Sequence, residues 1–153
     1  MKHEWRKHEK SIYIPKEKPS VIEIPKMKYI TISGVGNPNQ EDFKERIKTL
    51  YTLSYAIRMM PKKGFIPEGY FEYTVYPLEG DWSSTQDIRD INSEGLNKEA
   101  LIYTIMICHT AFVTQELFNK AWDMSKAKIN PDHIESVSFV ETQAHRAIQL
   151  LHR

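Results

Sequence analysis

Gly69-Tyr-Phe-Glu-Tyr-Thr-Val-Tyr-Pro-Leu-Glu-Gly-Asp-Trp82 is the stretch on which the reading of the fold turns. Its four aromatic residues before Pro77, Tyr70, Phe71, Tyr73 and Tyr76, sit in a short β-prone run. In an extended strand Phe71, Tyr73 and Val75 share one face and Tyr70, Glu72, Thr74 and Tyr76 the other, so aromatic surface is offered on both sides. One face must pack on a core. The other keeps tyrosine rings, a carboxylate and, at the far end, Glu79 and Trp82. Rings with a polar tip combine a large apolar contact with a hydrogen bond, which is what a site for a flat organic ligand requires. Tyrosine is also a good strand residue in its own right, so core packing is the simpler reading of the stretch alone.

Upstream lies an amphipathic segment. Asn39 reads as its N-cap and Glu41 and Asp42 as first-turn acids placed to suit the helix dipole. Phe43, Ile47, Leu50, Tyr51 and Ser54 then recur at helical spacing, with Leu53, Ala56, Ile57 and Met60 widening the stripe, and Pro61 ends it. So wide an apolar face belongs on a sheet. Tyr51 and Tyr55 are one turn apart and can line the same space. Before the helix, Val21 to Val35 reads as one or two strands broken at Pro25. The Gly34-Val-Gly36 turn that follows lacks the third glycine or Gly-Lys-Ser/Thr of a phosphate loop.

Downstream, Trp82 to Lys98 is polar and reads as a loop with a turn of helix at Gln86 to Asp90. Leu101 to Ala111 is nearly continuous in Ile, Tyr, Met and Thr, the pattern of a strand buried on both faces. Thr114 offers a cap for a helix over Gln115 to Lys128. Asn130-Pro131 breaks it, and Ser136 to Thr142 and Ala147 to Leu151 are strand-like. Residues 1–20 carry two prolines and alternating charge around Trp5, Ile12, Tyr13 and Ile14, and read as an extended N-terminal arm pinned by Trp5 or Tyr13.

The composition excludes several classes. With 21 Lys plus Arg against 20 Asp plus Glu, the net charge of +1 gives no general attraction to nucleic acid or to an anionic membrane. The N-terminus is charged where a signal peptide needs an apolar core, and the apolar runs are too short to span a bilayer, so a cytoplasmic protein is expected. The single cysteine, Cys108, allows no intrachain disulfide and reads as a buried small hydrophobe. The six histidines are scattered, with no His-Glu-x-x-His and no paired cysteine, so neither a metal nor a cofactor is expected. Glu72, Glu79 and Glu141 lie on or beside strands, where a carboxylate facing an aromatic cleft can act as general acid or as counter-ion to a cation.

The run Gly69 to Trp82, taken with Lys-Met-Lys-Tyr-Ile-Thr-Ile-Ser-Gly-Val-Gly-Asn-Pro-Asn upstream and Leu-Tyr-Thr-Leu-Ser-Tyr-Ala-Ile-Arg-Met-Met-Pro-Lys-Lys-Gly between, resembles the GyrI-like small-molecule-binding family. More narrowly, it resembles the stand-alone branch whose members begin with a comparable Glu-Trp-Arg-Lys arm. The resemblance implies an α+β fold of two strand-helix-strand-strand modules with an aromatic-lined cleft between them. The sheet would be antiparallel with helices on one face. The first module would comprise the strand near Tyr29, the helix Gln40 to Met60 and the strands Tyr70 to Leu78 and Leu101 to His109. Gln115 to Lys128 would be the connector, and Ala147 to His152 would open the second module. The domain would run over residues 21–153. The family's characteristic glutamate, in an apolar-Glu-apolar-Tyr strand of the second module, has no counterpart before Arg153, so no catalytic residue is carried over.

The function so implied is binding of a flat apolar or cationic small molecule, as in effector-binding domains of multidrug-responsive transcription regulators. Tyr51, Tyr55, Tyr73, Trp82 and Met106 are the cleft candidates and Glu79 a polar contact. The alternatives are a hydrolase of cyclopropane-bearing toxins and a protein-binding module acting on gyrase or a regulator. An incomplete second module would leave open strand edges, from which a homodimer is expected. No direct nucleic-acid binding is expected.

Overall fold

The structure, a computed structural model, describes residues 1–151. Its strands are β1 (Ser20–Ile24), β2 (Lys28–Val35), β3 (Leu78–Ser84), β4 (Leu101–His109), β5 (Val137–Glu141) and β6 (His145–Gln149). Its helices are α1 (Trp5–His8), α2 (Lys10–Tyr13), α3 (Glu41–Arg58), α4 (Ile88–Glu94) and α5 (Gln115–Ser125). Four strands form one antiparallel sheet in the order β3-β4-β2-β5, and β1 and β6 form a separate antiparallel ribbon. This is the expected α+β class. The strand-helix-strand-strand unit runs β2, α3, β3, β4. His152, the expected end of the last strand, lies outside the described residues.

Cross-strand partners share a face, so the registers assign every side chain to one side of the sheet. Ile30, Ile107, Leu78 and Phe139 form one row, and Ile32, Ile105, Gly80 and Val137 the next. Both rows lie on the side of α3 and α5, whose Leu50, Leu53, Ile57, Leu117, Phe118 and Ala121 are buried. Phe118 stacks on Phe139 with ring centroids 5.5 Å apart. Helix α5 begins as expected, its Thr114 hydroxyl accepting from Leu117 N at 3.1 Å. At α3 the cap position falls on Gln40, which makes no side-chain capping bond, while Asn39 donates its own N–H to Asn37 Oδ1.

Three segments differ from the sequence reading. Residues 70–77 are not a strand, and β3 begins only at Leu78. Pro77 supplies no donor for a ladder, and the backbone of this segment is satisfied by other groups: His3 N donates to Glu72 O (2.7 Å), Thr74 N to His3 O (2.8 Å) and Arg58 Nε to Tyr73 O (2.7 Å). The arm is not extended. It folds into the single turns α1 and α2 and is pinned by Trp5, whose indole N–H donates to Val75 O at 3.0 Å. Finally, Trp82 to Ser84 continue β3 instead of opening a loop, and α4 starts at Ile88 behind an Asp87 cap that accepts from Arg89 N at 2.8 Å.

The ring of Tyr103 lies across Gly34, its cross-strand partner, where a Cβ would come within 2.5 Å of the phenol Cζ. Phe43 and Trp82 hold that ring from two sides, at 5.1 and 5.2 Å between centroids. Gly34→Ala is therefore expected to destabilise the fold by about 1–3 kcal/mol, the usual cost of overpacking a confined site. Urea unfolding of the variant against wild type checks this.

Candidate functional site

The sheet face turned away from α3 and α5 carries a different chemistry. Glu79 on β3, Met106 on β4 and Thr31 on β2 form one cross-strand row. Cys108 and Tyr29 form the neighbouring one. Asp81, Thr104 and Ser33 continue the face as a polar patch, with Ser33 Oγ and Thr104 Oγ1 3.2 Å apart. The arm reaches this face at the Cys108 end. Tyr13, the last residue of α2, brings its hydroxyl beside the Cys108 thiol and close enough to Glu79 and Tyr29 to feel their charge. Its ring packs between Trp5 and Tyr76, each 5.6 Å away between centroids.

Burial dominates the electrostatics here. The Glu79 carboxyl is pushed up from 4.5 to about 7 by desolvation. Its Oε2 is sealed from solvent and makes no hydrogen bond among the described residues, and the Tyr13 hydroxyl is likewise buried without a regular partner. Tyr29 donates its hydroxyl to Met27 Sδ at 3.3 Å, a weak acceptor. Desolvation also raises Tyr13, Tyr29 and Tyr76 above the ordinary phenol value, so all three remain donors. Cys108, pushed up to about 12 by burial, stays a thiol and is no nucleophile as it stands.

Beside this cluster a cavity of about 360 Å³ opens between the arm and the sheet, with Glu9, Met27, Phe71, Tyr76, Cys108 and Glu141 in its wall. Glu9 Oε2 accepts from Tyr76 Oη at 2.5 Å and lies 2.8 Å from His3 Nε2. A titratable carboxyl, several phenols and two thioethers thus converge next to a cavity of ligand size. No group of three or more His, Cys, Asp or Glu that could hold a metal ion occurs among the described residues.

The six residues singled out from the sequence do not meet in one place. Glu79 and Met106 are register partners on the open face. Trp82 lies on the helix side, tilted against Phe43 at 5.6 Å and 43% exposed. Tyr51 and Tyr55 stack on each other along α3 at 6.2 Å, and Tyr55, 47% exposed, borders a shallow groove with Met124 and Lys128. Tyr73 is 1% exposed and packs edge-on to Phe112 at 5.7 Å, under the Arg58 guanidinium. Tyr13, Tyr29, Tyr76, Cys108 and Glu9 are the residues that reading did not assign to the site. The β2–β4 register places Tyr29 opposite Cys108 on one face of the sheet, and nothing local in the arm points Tyr13 at β4.

No family model matches the chain, and no curated protein matches it. Three solved structures from Listeria innocua are similar. A hydrolase superposes with a TM-score of 0.81 at 28% identity, the match covering 99% of this chain and 74% of that one. A second protein described as a hydrolase gives 0.77 at 27% identity, over 94% of this chain and 67% of the other. An uncharacterized conserved protein gives 0.78 at 28% identity, over 93% and 67%. No helix of the described residues is long and apolar enough to cross a membrane.

The raised value of Glu79 has a consequence for stability. The unfolded chain releases this proton near 4.5 and the folded one near 7, so between them the folded state holds a proton that the unfolded state lacks. Stability therefore falls as pH rises through that window, by roughly 1–2 kcal/mol after allowance for solvent screening. Glu79→Gln removes this fall. Thermal unfolding of both proteins at pH 5 and pH 8 reads it, and an identical pH response in the variant would disprove the buried-carboxyl account.

Proposed function

We propose that this protein binds a flat, apolar or cationic organic molecule on the open sheet face at Glu79, as a GyrI-like effector-binding domain does. The observation that carries the reading is the Glu79 carboxyl itself, half-buried beside Met106, Tyr13 and Tyr29 with a sealed oxygen that no group among the described residues satisfies. Burying such a group costs a fold stability unless something else uses it. Ionised, it is a counter-ion for a cation. Protonated, it donates to a carbonyl or hydroxyl of a neutral ligand. The surrounding thioether and phenol surfaces supply apolar contact with adaptable shape and a few polar anchors.

Rhodamine 6G, a flat aromatic cation, is a direct probe, and Trp5 beside Tyr13 is the reporter. Saturable quenching of tryptophan fluorescence is expected at pH 8, with affinity about tenfold weaker in Glu79→Gln, the loss typical of a charged contact. Tyr55→Ala, on the outer surface of α3, should bind as wild type does. Equal affinity in Glu79→Gln, or loss in Tyr55→Ala, would move the site elsewhere.

A second reading is hydrolysis of a strained electrophile such as a cyclopropane-bearing toxin. Two observations favour it: two of the similar structures are described as hydrolases, and a carboxyl titrating near 7 is suited to general acid–base work. Glu79 would then take a proton from the attacking water while the strained C–C bond opens, and return it to the carbon released. Mass spectrometry of the toxin under substrate excess separates the readings. Binding alone leaves its mass unchanged, whereas turnover adds one water per molecule and is abolished in Glu79→Gln.

A further inference from the structure

The Glu79 site is half-covered in this structure, and what covers it is the N-terminal arm. Glu79 is half-buried, and its Oε2 and the Tyr13 hydroxyl are both sealed from solvent, so that oxygen is out of a ligand's reach while the arm stays where it is. The sheet beneath is paired continuously, β4 holding β3 on one edge and β2 on the other. The arm is held differently. Neither α1 nor α2 contains a buried residue, and each is a single turn, too short to be stable alone. Its attachments are a small set of bonds, most of them onto residues 72–76: two backbone bonds of His3, the Trp5 indole on Val75 O and the Glu9 carboxylate, together with Gln149 Nε2 donating to Ile12 O and the packing of Trp5, Ile12 and Tyr13 against the core. Glu9 ties the arm to the segment beneath it and to its own first turn, accepting from Tyr76 and pairing with His3.

We infer that residues 3–14 form a strap that opens and closes the Glu79 site, with Glu9 as its latch and Tyr13 as its plug. The inference rests on the binding site proposed above being the one that ligands use. Full access to the carboxyl then requires the arm to lift, not the sheet to part, and segments held by few exposed bonds are those that open below the global unfolding free energy. The arm is also a wall of the site. Once the arm is displaced, Tyr13 leaves behind a space shaped for an aromatic ring with a polar end, against Tyr76 and above the Cys108 thiol.

Cys108 lets the strap be tested without any ligand. It is the single cysteine of the chain, is buried, and lies beneath Tyr13. Alkylation of the intact protein by N-ethylmaleimide, followed by intact mass, reads how often the strap is open. Glu9→Gln weakens the charge-assisted latch and Trp5→Phe removes the bond to Val75 O. Each is expected to label about tenfold faster than wild type, the effect of losing one such hydrogen bond. Amide exchange in α3 and β4 should stay at the wild-type rate. Tyr55→Ala should label as wild type does. Labelling at the wild-type rate in both arm variants overturns the strap, and so does labelling that rises only in step with exchange of the β4 core amides. If these variants label fast while rhodamine 6G binding ignores Glu79, the strap stands and the binding site falls.

Discussion

The constraint on which the rest depends is the double pairing of β4. It lies between β3 and β2, and its register with each decides which side chains face the helices and which face away. A slip of one residue would move Ile105 and Ile107 to the open face and drive Met106 and Cys108 into the helices, so burial of the isoleucines fixes the register firmly. Glu79 comes to the open face because Gly80 and Leu78, its neighbours in β3, are tied to the isoleucine rows. The unusual position of this carboxyl is thus a by-product of apolar packing on the opposite side.

The two faces of the sheet use aromatic residues for different ends. On the helix side Phe43, Trp82 and Tyr103 form a packed triad over Gly34, a construction that fills space where the sheet lacks a side chain. On the other side Tyr13, Tyr29 and Tyr76 keep their hydroxyls turned toward sulfur and carboxylate groups. Burial holds those hydroxyls protonated, so they serve as fixed donors around a carboxyl whose charge changes near neutrality.

Much of the architecture was legible from periodicity. The stripe of Leu50, Leu53 and Ile57, the Thr114 cap and the apolar run into β4 each correspond to an observed element. The stretch from Gly69 to Trp82 was legible only in its second half. Its alternation suits a strand, but Pro77 divides it, and the bonds that order its first half come from Arg58 and from the arm, which no local pattern announces. Glu79 and Met106 could each be singled out, yet only strand pairing makes them neighbours. Tyr51, Tyr55, Tyr73 and Trp82 were grouped by aromatic character, and the period-two and period-3.6 geometries send them to separate surfaces.

The attachment of Trp5 to Val75 spans 70 residues of sequence. The arm precedes its docking surface in the chain, and that surface does not exist until β3 and β4 have paired, some hundred residues later. Closing so long a loop before the sheet is formed brings entropy loss and no bonds in return. The arm is therefore among the last segments to find its place, and during that interval Tyr13 is absent and the Glu79 face is open to whatever molecule is at hand.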